Sequence, residues 1–233
     1  MNKPLTILST KKLKSSVKEL LLQNHFQLIE DDWIEIEYIV SPGLKNQIDN
    51  SSDALVFTSR HAVEGLLRNS TSILKDKKVF CLNGETLRAT ENLQLPIVAT
   101  AKDAPSLASK IIESKTSQVS FFCGNLHRQE LPELLRKNNI AVDEITTYNT
   151  ILSPKKNSSP SDFVLFFSPS GAESFFQSNA IGKSVICFCI GDTTSKYVGS
   201  KISNKIIIAK EPSQESVAEA LLNFIMSNKT IHA

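Results

Sequence analysis

The chain has 233 residues, of which 41% are hydrophobic and 21% are charged, as is usual for a globular protein with its own core. Lys and Arg number 26 against 24 Asp and Glu, so the net charge is only +2, and the basic residues are scattered, which argues against a nucleic-acid-binding protein. No apolar run approaches the roughly 20 residues that a membrane-spanning helix needs. The start, MNKPLTILSTKKLKSS, lacks the pattern of a secretion signal. We therefore expect a cytoplasmic protein of one or two domains.

Short apolar runs alternate with amphipathic segments along most of the chain. Most of the runs are apolar at successive positions, which is typical of strands covered on both faces of a parallel sheet. The pattern predicts the α/β class with βαβ units. The predicted strands are residues 5–9, 54–58, 78–82, 118–123, 163–167, 184–190 and 205–209. The predicted helices cover residues 14–24, 106–114, 128–138 and 215–226.

Two stretches depart from this alternation and indicate where the chain changes domain. Residues 31–40 and 142–152 alternate polar and apolar side chains, and the second stretch is followed by a Ser/Pro/Lys-rich segment. We expect crossovers between domains at 37–40 and 148–152. Residues 1–36 and 153–233 would then form a first, discontinuous α/β domain, and residues 41–147 a second.

An internal repeat supports two copies of one α/β unit. DALVFTS from Asp53 aligns with DFVLFFS from Asp162, a shift of 109 residues. GET from Gly84 aligns with GDT from Gly191, a shift of 107, and SLASKII from Ser106 aligns with SVAEALL 110 residues later. Because the three features keep their order and nearly constant spacing, we predict a duplicated fold.

Small hydroxyl residues follow the predicted strands in both copies, in TSRHAV, NGETL, SPSGAE and GDTTS. In parallel sheets, ligands bind beyond the carboxyl ends of strands, where helix N-termini accept carboxylates and phosphates. Plain helix capping is the alternative at each of these positions. The sequence contains neither GxGxxG nor a phosphate-binding P-loop, so a nucleotide cofactor is not indicated. A polyanionic organic ligand fits the pattern better.

Five motifs in series resemble the uroporphyrinogen-III synthase family: FTSRHAV, LNGETL, FFCGNLHRQELPELLRKNNIAVDEITTYNT, LFFSPSGAESFF and CIGDTTSKYV. Together they span nearly the whole chain. The resemblance implies two flavodoxin-like parallel-sheet domains, joined by a two-stranded β ladder into a bilobed molecule with a central cleft.

The resemblance also implies the reaction of a cyclising lyase in haem biosynthesis. Linear hydroxymethylbilane, which bears eight carboxylates, would lose water and close to uroporphyrinogen III with its last pyrrole ring inverted. The family uses no metal or organic cofactor, and we expect a monomer with a small-molecule substrate and transient contact with the preceding pathway enzyme. Two other interpretations stay open: a non-catalytic bilobed anion-binding protein and an inactive, regulatory relative of the synthase.

The resemblance assigns site residues by position. Tyr148 matches the family's Tyr-x-Thr motif and would assist departure of the hydroxyl, although packing alone would also explain an aromatic residue there. His61 stands where the family commonly has Asn and would donate to a carboxylate, or cap the helix from the surface. Many members end the first strand in Arg, which Lys11 or Lys12 would replace here as a point charge, and a solvated charge run is the alternative. The expected substrate-binding residues are Thr58, Ser59, His61, Thr86, Ser168, Ser170, Thr193, Thr194 and Lys11.

The four cysteines and the histidines give no metal-binding pattern. Cys81, Cys123, Cys187 and Cys189 lie in or at the end of apolar runs without a CxxC pair, so buried thiols are expected. Arg128 follows FFCGN at the start of a predicted helix, where reaching the site and lying on the surface are both open.

Overall fold

The computed structural model describes residues 4–69, 74 and 76–229. Contacts divide the chain into a first unit, Met1–Glu35 with Ile151–Ala233, and a second unit, Ile36–Thr150. The ends of the predicted first domain, residues 1–3 and 230–233, lie outside the described residues. No helix in the described part of the chain is both long and apolar enough to cross a membrane.

Strands and helices alternate along the described residues. The strands are β1 Thr6–Ser9, β2 Gln27–Glu30, β3 Ile34–Tyr38, β4 Ala54–Phe57, β5 Lys78–Leu82, β6 Ile97–Ala101, β7 Gln118–Gly124, β8 Ala141–Leu152, β9 Phe163–Phe166, β10 Ile186–Cys189 and β11 Ile206–Ile208. The helices are α1 Ser15–Gln23, α2 Pro42–Asp49, α3 Arg60–Asn69, α4 Glu85–Glu91, α5 Ala104–Glu113, α6 Glu130–Lys137, α7 Pro169–Ser178, α8 Asp192–Gly199 and α9 Gln214–Lys229. All seven strands and four helices predicted from the sequence are confirmed.

The first unit is built on a five-stranded sheet in the order β11-β10-β9-β1-β2. Each neighbouring pair is parallel. All four residues of β9 are buried: Phe163 and Leu165 pack into one apolar cluster, and Val164 and Phe166 into another. This central strand is therefore covered on both faces, which explains why its sequence is continuously apolar.

The second unit is built on a six-stranded sheet in the order β3-β8-β7-β4-β5-β6. The five strands from β8 to β6 are parallel. β3 runs antiparallel to β8, because residue 39 bonds to residue 147 while residue 33 bonds to residue 153. The chain passes between the units within these two strands, which form the predicted two-stranded ladder.

The repeat explains the strand orders of the two sheets. β4, β5 and β6 correspond to β9, β10 and β11, while β7 and β8 take the places of β1 and β2. When the parallel strands of each sheet are numbered from 1 to 5 along the chain, those of the first sheet lie in the order 2-1-3-4-5, the flavodoxin-like arrangement. Those of the second sheet, β4 to β8, lie in the order 3-2-1-4-5. In each sheet the direction of the strand order reverses once. Each unit thus combines a βαβ element from one half of the duplicated chain with three strands from the other half.

Candidate active site

A cavity of about 420 Å³ opens at the carboxyl edge of the second unit's sheet. Its walls come from residues that follow β4, β6 and β7, from residues within β7, from Leu82 at the end of β5 and from Tyr148 on β8. In the sheet, β4 lies between β5, which is the next strand along the chain, and β7, which comes later in the chain. The strand order therefore reverses at β4. Open parallel sheets bind ligands at such a point.

Tyr148 and Ser59 meet in the wall of this cavity. The Tyr148 hydroxyl donates to Ser59 Oγ at 3.1 Å, although the two residues lie 89 positions apart. Burial raises the pKa of Tyr148, and the hydrogen bond to Ser59 offsets only part of this effect. The phenol therefore keeps its proton at neutral pH and is available as a hydrogen-bond donor.

Two glycines let Tyr148 and its neighbour approach the rest of the unit. A Cβ on Gly124 would lie 2.5 Å from Tyr148 Cζ, so only a residue without a side chain leaves room for the ring. A Cβ on Gly65 of α3 would lie 2.6 Å from the carbonyl oxygen of Thr147. The helix that begins beside Ser59 and the strand that carries Tyr148 are consequently in direct backbone contact.

His61 lies between two tyrosine rings. Its ring centroid is 5.6 Å from that of Tyr148 and 6.1 Å from that of Tyr38. Its Nδ1 is 2.8 Å from the Tyr38 hydroxyl, which also donates to the carboxylate of Glu64. Burial, followed by the contact with Glu64, raises the pKa of Tyr38, so this hydroxyl also stays protonated. His61 is thus held by its neighbours on α3 and β3.

Of the predicted site residues in the second unit, Thr58, Ser59 and Tyr148 line the cavity. His61 stands behind the ring of Tyr148. Thr86 lies in the first turn of α4 and is buried, 7% exposed, away from this cavity wall.

The remaining predicted residues belong to the first unit. Ser168 is the N-cap of α7: its Oγ accepts from the Gly171 amide at 2.9 Å and lies 3.3 Å from Ser170 Oγ. Thr193 and Thr194 lie in the first turn of α8, with Thr194 buried. Lys11 follows β1, and its carbonyl oxygen accepts from Ser9 Oγ.

The two repeated glycines differ in conformation. Gly84 precedes α4 with a φ of 78°, a region that favours glycine, whereas Gly191 precedes α8 with a φ of 179°, an extended conformation open to other residues. Of these two positions, only Gly84 therefore needs the backbone freedom of glycine.

One group of side chains has the composition of a metal site. Ligand atoms of Cys123, His127 and Glu144 lie within 4.8 Å of one another. His127 Nδ1 is 2.8 Å from the Gly124 carbonyl oxygen, and Nε2 is 2.5 Å from Glu144 Oε2. Arg136 holds the other carboxylate oxygen at 2.5 Å. These bonds explain why the three side chains lie together without a metal: they tie β8 to the connection between β7 and α6.

All four cysteines are buried and free, as expected. Burial raises the pKa of Cys123 to about 11 and those of Cys187 and Cys189 to about 12, so the thiols stay protonated and unreactive at neutral pH.

A sequence model described as uroporphyrinogen-III synthase HemD matches residues 15–219, most of the chain. The chain belongs to the uroporphyrinogen-III synthase family. Members are cyclising lyases of porphyrin and haem biosynthesis, and the chain accordingly cyclises hydroxymethylbilane to uroporphyrinogen III. Nothing in the comparisons favours the non-catalytic or regulatory alternatives.

Solved structures of synthases share the fold. The enzyme from Helicobacter pylori 26695 is similar with a TM-score of 0.68 and 18% identity, covering 95% of this chain and 100% of its own. A mutant synthase from the extremely thermophilic bacterium Thermus thermophilus has a TM-score of 0.66 and 14% identity, covering 97% and 99%. At these identities the similarity supports the fold, and it assigns no role to single residues.

Sequence reasoning missed several residues around the cavity. Tyr38 and Glu64 complete the His61 contacts, and Lys102 lines the cavity after a strand that was not predicted. Arg128, whose position was left open, also lines it. The sequence signal for such residues is a polar side chain directly after a strand of the parallel sheet. Lys102 has this position, but it could be recognised only if β6 had been predicted.

Proposed function

We propose that the cavity of the second unit is where the hydroxymethyl group of the linear tetrapyrrole loses its oxygen. The observation that carries the proposal is the Tyr148 hydroxyl directed at Ser59 Oγ in the cavity wall. Ser59 Oγ also accepts from the amide of His61 at 3.2 Å. With both donors pointing at its oxygen, the Ser59 hydroxyl is left to donate its own hydrogen to the substrate.

The chemistry then begins with a relay of two proton transfers. The leaving oxygen takes the Ser59 proton while Tyr148 passes its proton to Ser59, the C–O bond breaks, and water departs. The lone pair of the pyrrole nitrogen supplies the electrons, which leaves a cationic azafulvene. The α-carbon of the last ring that already carries the bridge to the third ring attacks it, and the older bridge bond then breaks to leave a second azafulvene on the third ring. The free α-carbon of the inverted last ring attacks this azafulvene, and loss of a proton, which restores the Tyr148 phenol, restores aromaticity. The protein's main task is to hold the chain so that the last ring closes inverted.

The hydroxyls of the first unit take a second role in this proposal. Ser168, Ser170, Thr193 and Thr194 lie at the N-termini of α7 and α8, where amide groups favour carboxylates. We assign them, with Lys11, Thr58 and Thr86, to binding the acidic side chains through hydroxyls or neighbouring amides. The protein would work as a cytoplasmic monomer that takes its unstable substrate from the preceding enzyme through transient contact.

The test is the identity of the product. Supplied with freshly generated hydroxymethylbilane, the wild-type protein should give the type III isomer, resolved from type I by chromatography. Type I alone, at the rate without protein, would refute the catalytic function.

Tyr148→Phe addresses the mechanism, because it removes the phenolic proton and leaves the packed ring. We expect kcat to fall about 10- to 100-fold, at or below the lower end of the usual effect of a general acid, since the substrate can ionise unaided. The melting temperature should change little. An unaltered kcat would rule out the assigned role of Tyr148, and Tyr197→Phe, in α8 of the first unit, is the control.

A further inference from the structure

Two cationic side chains face the same cavity as Tyr148 without ion-pair partners among the described residues. Lys102 lies in the turn between β6 and α5, and Arg128 lies in the connection between β7 and α6. Lys102 is exposed and Arg128 is exposed as well. The ion pairs of the described residues involve other cations, including Arg60 and Arg136 of the same unit.

The acidic residues around the cavity make no direct ion pair with either cation in the described part of the chain. Asp103 is the N-cap of α5, and its Oδ1 accepts from the Ser106 amide at 2.9 Å. Hydrogen bonding to Ser106, and to a lesser extent the positive charge of Lys102, lower the pKa of Asp103, so its carboxylate stays ionised and bound to the helix N-terminus. Glu130 lies in the first turn of α6, where the helix dipole favours an acidic side chain. Within the described part of the chain, neither carboxylate makes an ion pair with Lys102 or Arg128.

Arg128 is attached to a fixed piece of backbone. The adjacent residue, His127, donates its amide to the Gly124 carbonyl oxygen at 3.1 Å and contacts Glu144 through its ring. Arg136 anchors Glu144 from α6. The guanidinium therefore extends from a braced connection, which reduces the cost of ordering it on a ligand.

The dimensions of the cavity indicate which part of the substrate it takes. Eight carboxylates over four rings give two per ring, and about 420 Å³ is a usual volume for a site that holds one small molecule. We propose that the cavity binds the terminal ring that carries the hydroxymethyl group, with Lys102 and Arg128 each binding one of its two carboxylates. Arg128 offers a planar fork to a carboxylate and Lys102 a point charge. This assignment rests on the proposed function, since it places the hydroxymethyl group at Ser59 and Tyr148.

Charge-removing variants test the assignment. Lys102→Gln and Arg128→Gln should each raise KM about tenfold while kcat stays within about twofold, because a charge-assisted hydrogen bond made equally in ground and transition states is lost. Lys137→Gln and Arg88→Gln remove the same charges from the ends of α6 and α4, away from the cavity wall, and should leave KM unchanged. Arg128→Lys should recover only part of the loss.

A binding measurement separates this proposal from the catalytic one. A monopyrrole with one acetate and one propionate side chain should bind the wild type, measured by calorimetry, and its binding should be abolished in the Lys102→Gln, Arg128→Gln double variant. Equal KM values in the single variants and their controls, or equal monopyrrole binding in the double variant, would overturn the subsite while type III formation by the wild type stands. If the wild type formed no type III isomer, the proposed function would itself fail.

Discussion

The two hydroxyl turns of the repeat have similar sequences but different contacts. After β9, Ser168 caps α7 by accepting from the Gly171 amide. After β4, Ser59 likewise accepts from an amide of the following helix, that of His61, but it also accepts from the phenol of Tyr148. The serine that follows the strand is therefore a helix cap in both units, and only Ser59 also receives a hydrogen bond from a tyrosine on a neighbouring strand.

The difference comes from β8, which lies two strands away from β4 in the sheet of the second unit. Asp143 on β8 pairs with Ser120, as Ile29 on β2 pairs with Leu8 in the first unit. β8 continues beyond this pair to Tyr148, whereas β2 ends at Glu30. The tyrosine beside Ser59 is therefore supplied by the longer strand of the second unit.

The strongest way to break this contrast is to displace the tyrosine. Gly124→Ala places a methyl group 2.5 Å from Tyr148 Cζ, so the ring must leave its position. We expect kcat to fall at least as far as in Tyr148→Phe, with a loss of about 1–3 kcal/mol in the free energy of unfolding from overpacking. Steady-state kinetics and urea unfolding measure the two effects.

Gly43→Ala is the matched control for this variant. The new methyl group in α2 would come no closer than 4.0 Å to its nearest neighbour, Ser41 Oγ. It should leave both kcat and stability close to the wild type. If Gly124→Ala retained full turnover, the packing of Tyr148 against β7 would have no part in catalysis.

A paired substitution of the two serines should give different effects on kcat. Ser59→Ala removes the proton relay together with a capping bond of α3, and we expect kcat to fall about tenfold or more with a loss of about 1 kcal/mol in the free energy of unfolding. Ser168→Ala removes a helix cap and should cost about 1 kcal/mol in the free energy of unfolding, with kcat nearly unchanged. Equal effects of the two variants on kcat would contradict the division of roles.

The sequence predicted the central strands because these strands are buried on both faces and read as continuous apolar runs. β9 is such a strand, and its residues Phe163–Phe166 are all buried. The strands that were missed, β2 and β6, lie at sheet edges, contain polar residues, and are only partly buried. An edge strand has one neighbour and needs no unbroken apolar run, so its pattern is weak.

The sequence predicted the site residues that local patterns mark, but it did not predict the contacts between residues far apart in the chain. Thr58 and Ser59 follow a strand, and Tyr148 belongs to a family motif, so their positions along the chain drew attention to them. The hydrogen bond between Ser59 and Tyr148 joins residues 89 positions apart, and the contact of Tyr38 with His61 spans 23. Such partners depend on strand order and register, which composition and periodicity do not determine.

The smallest expected effect concerns two glutamates on corresponding strands, Glu144 on β8 and Glu30 on β2. Burial alone would raise the pKa of Glu144, but hydrogen bonds led by that from Arg136 outweigh it, and the pKa lies below its ordinary value. A carboxyl whose pKa is lowered by folding stabilises the protein above its unfolded-state value of about 4.5 and loses that contribution as the pH falls through the folded-state value. Arg136→Gln should therefore lower the free energy of unfolding at pH 7 by no more than about 1 kcal/mol, since the pair is partly exposed. Lys18→Gln, which breaks the 2.6 Å pair with Glu30, is the matched variant in the first unit.

Urea unfolding at several pH values tests the charge effect of Arg136→Gln. The loss in its free energy of unfolding, relative to the wild type, should shrink toward zero on acidification below about pH 4.5. A loss that stayed constant with pH would show that Arg136 acts by packing rather than by charge.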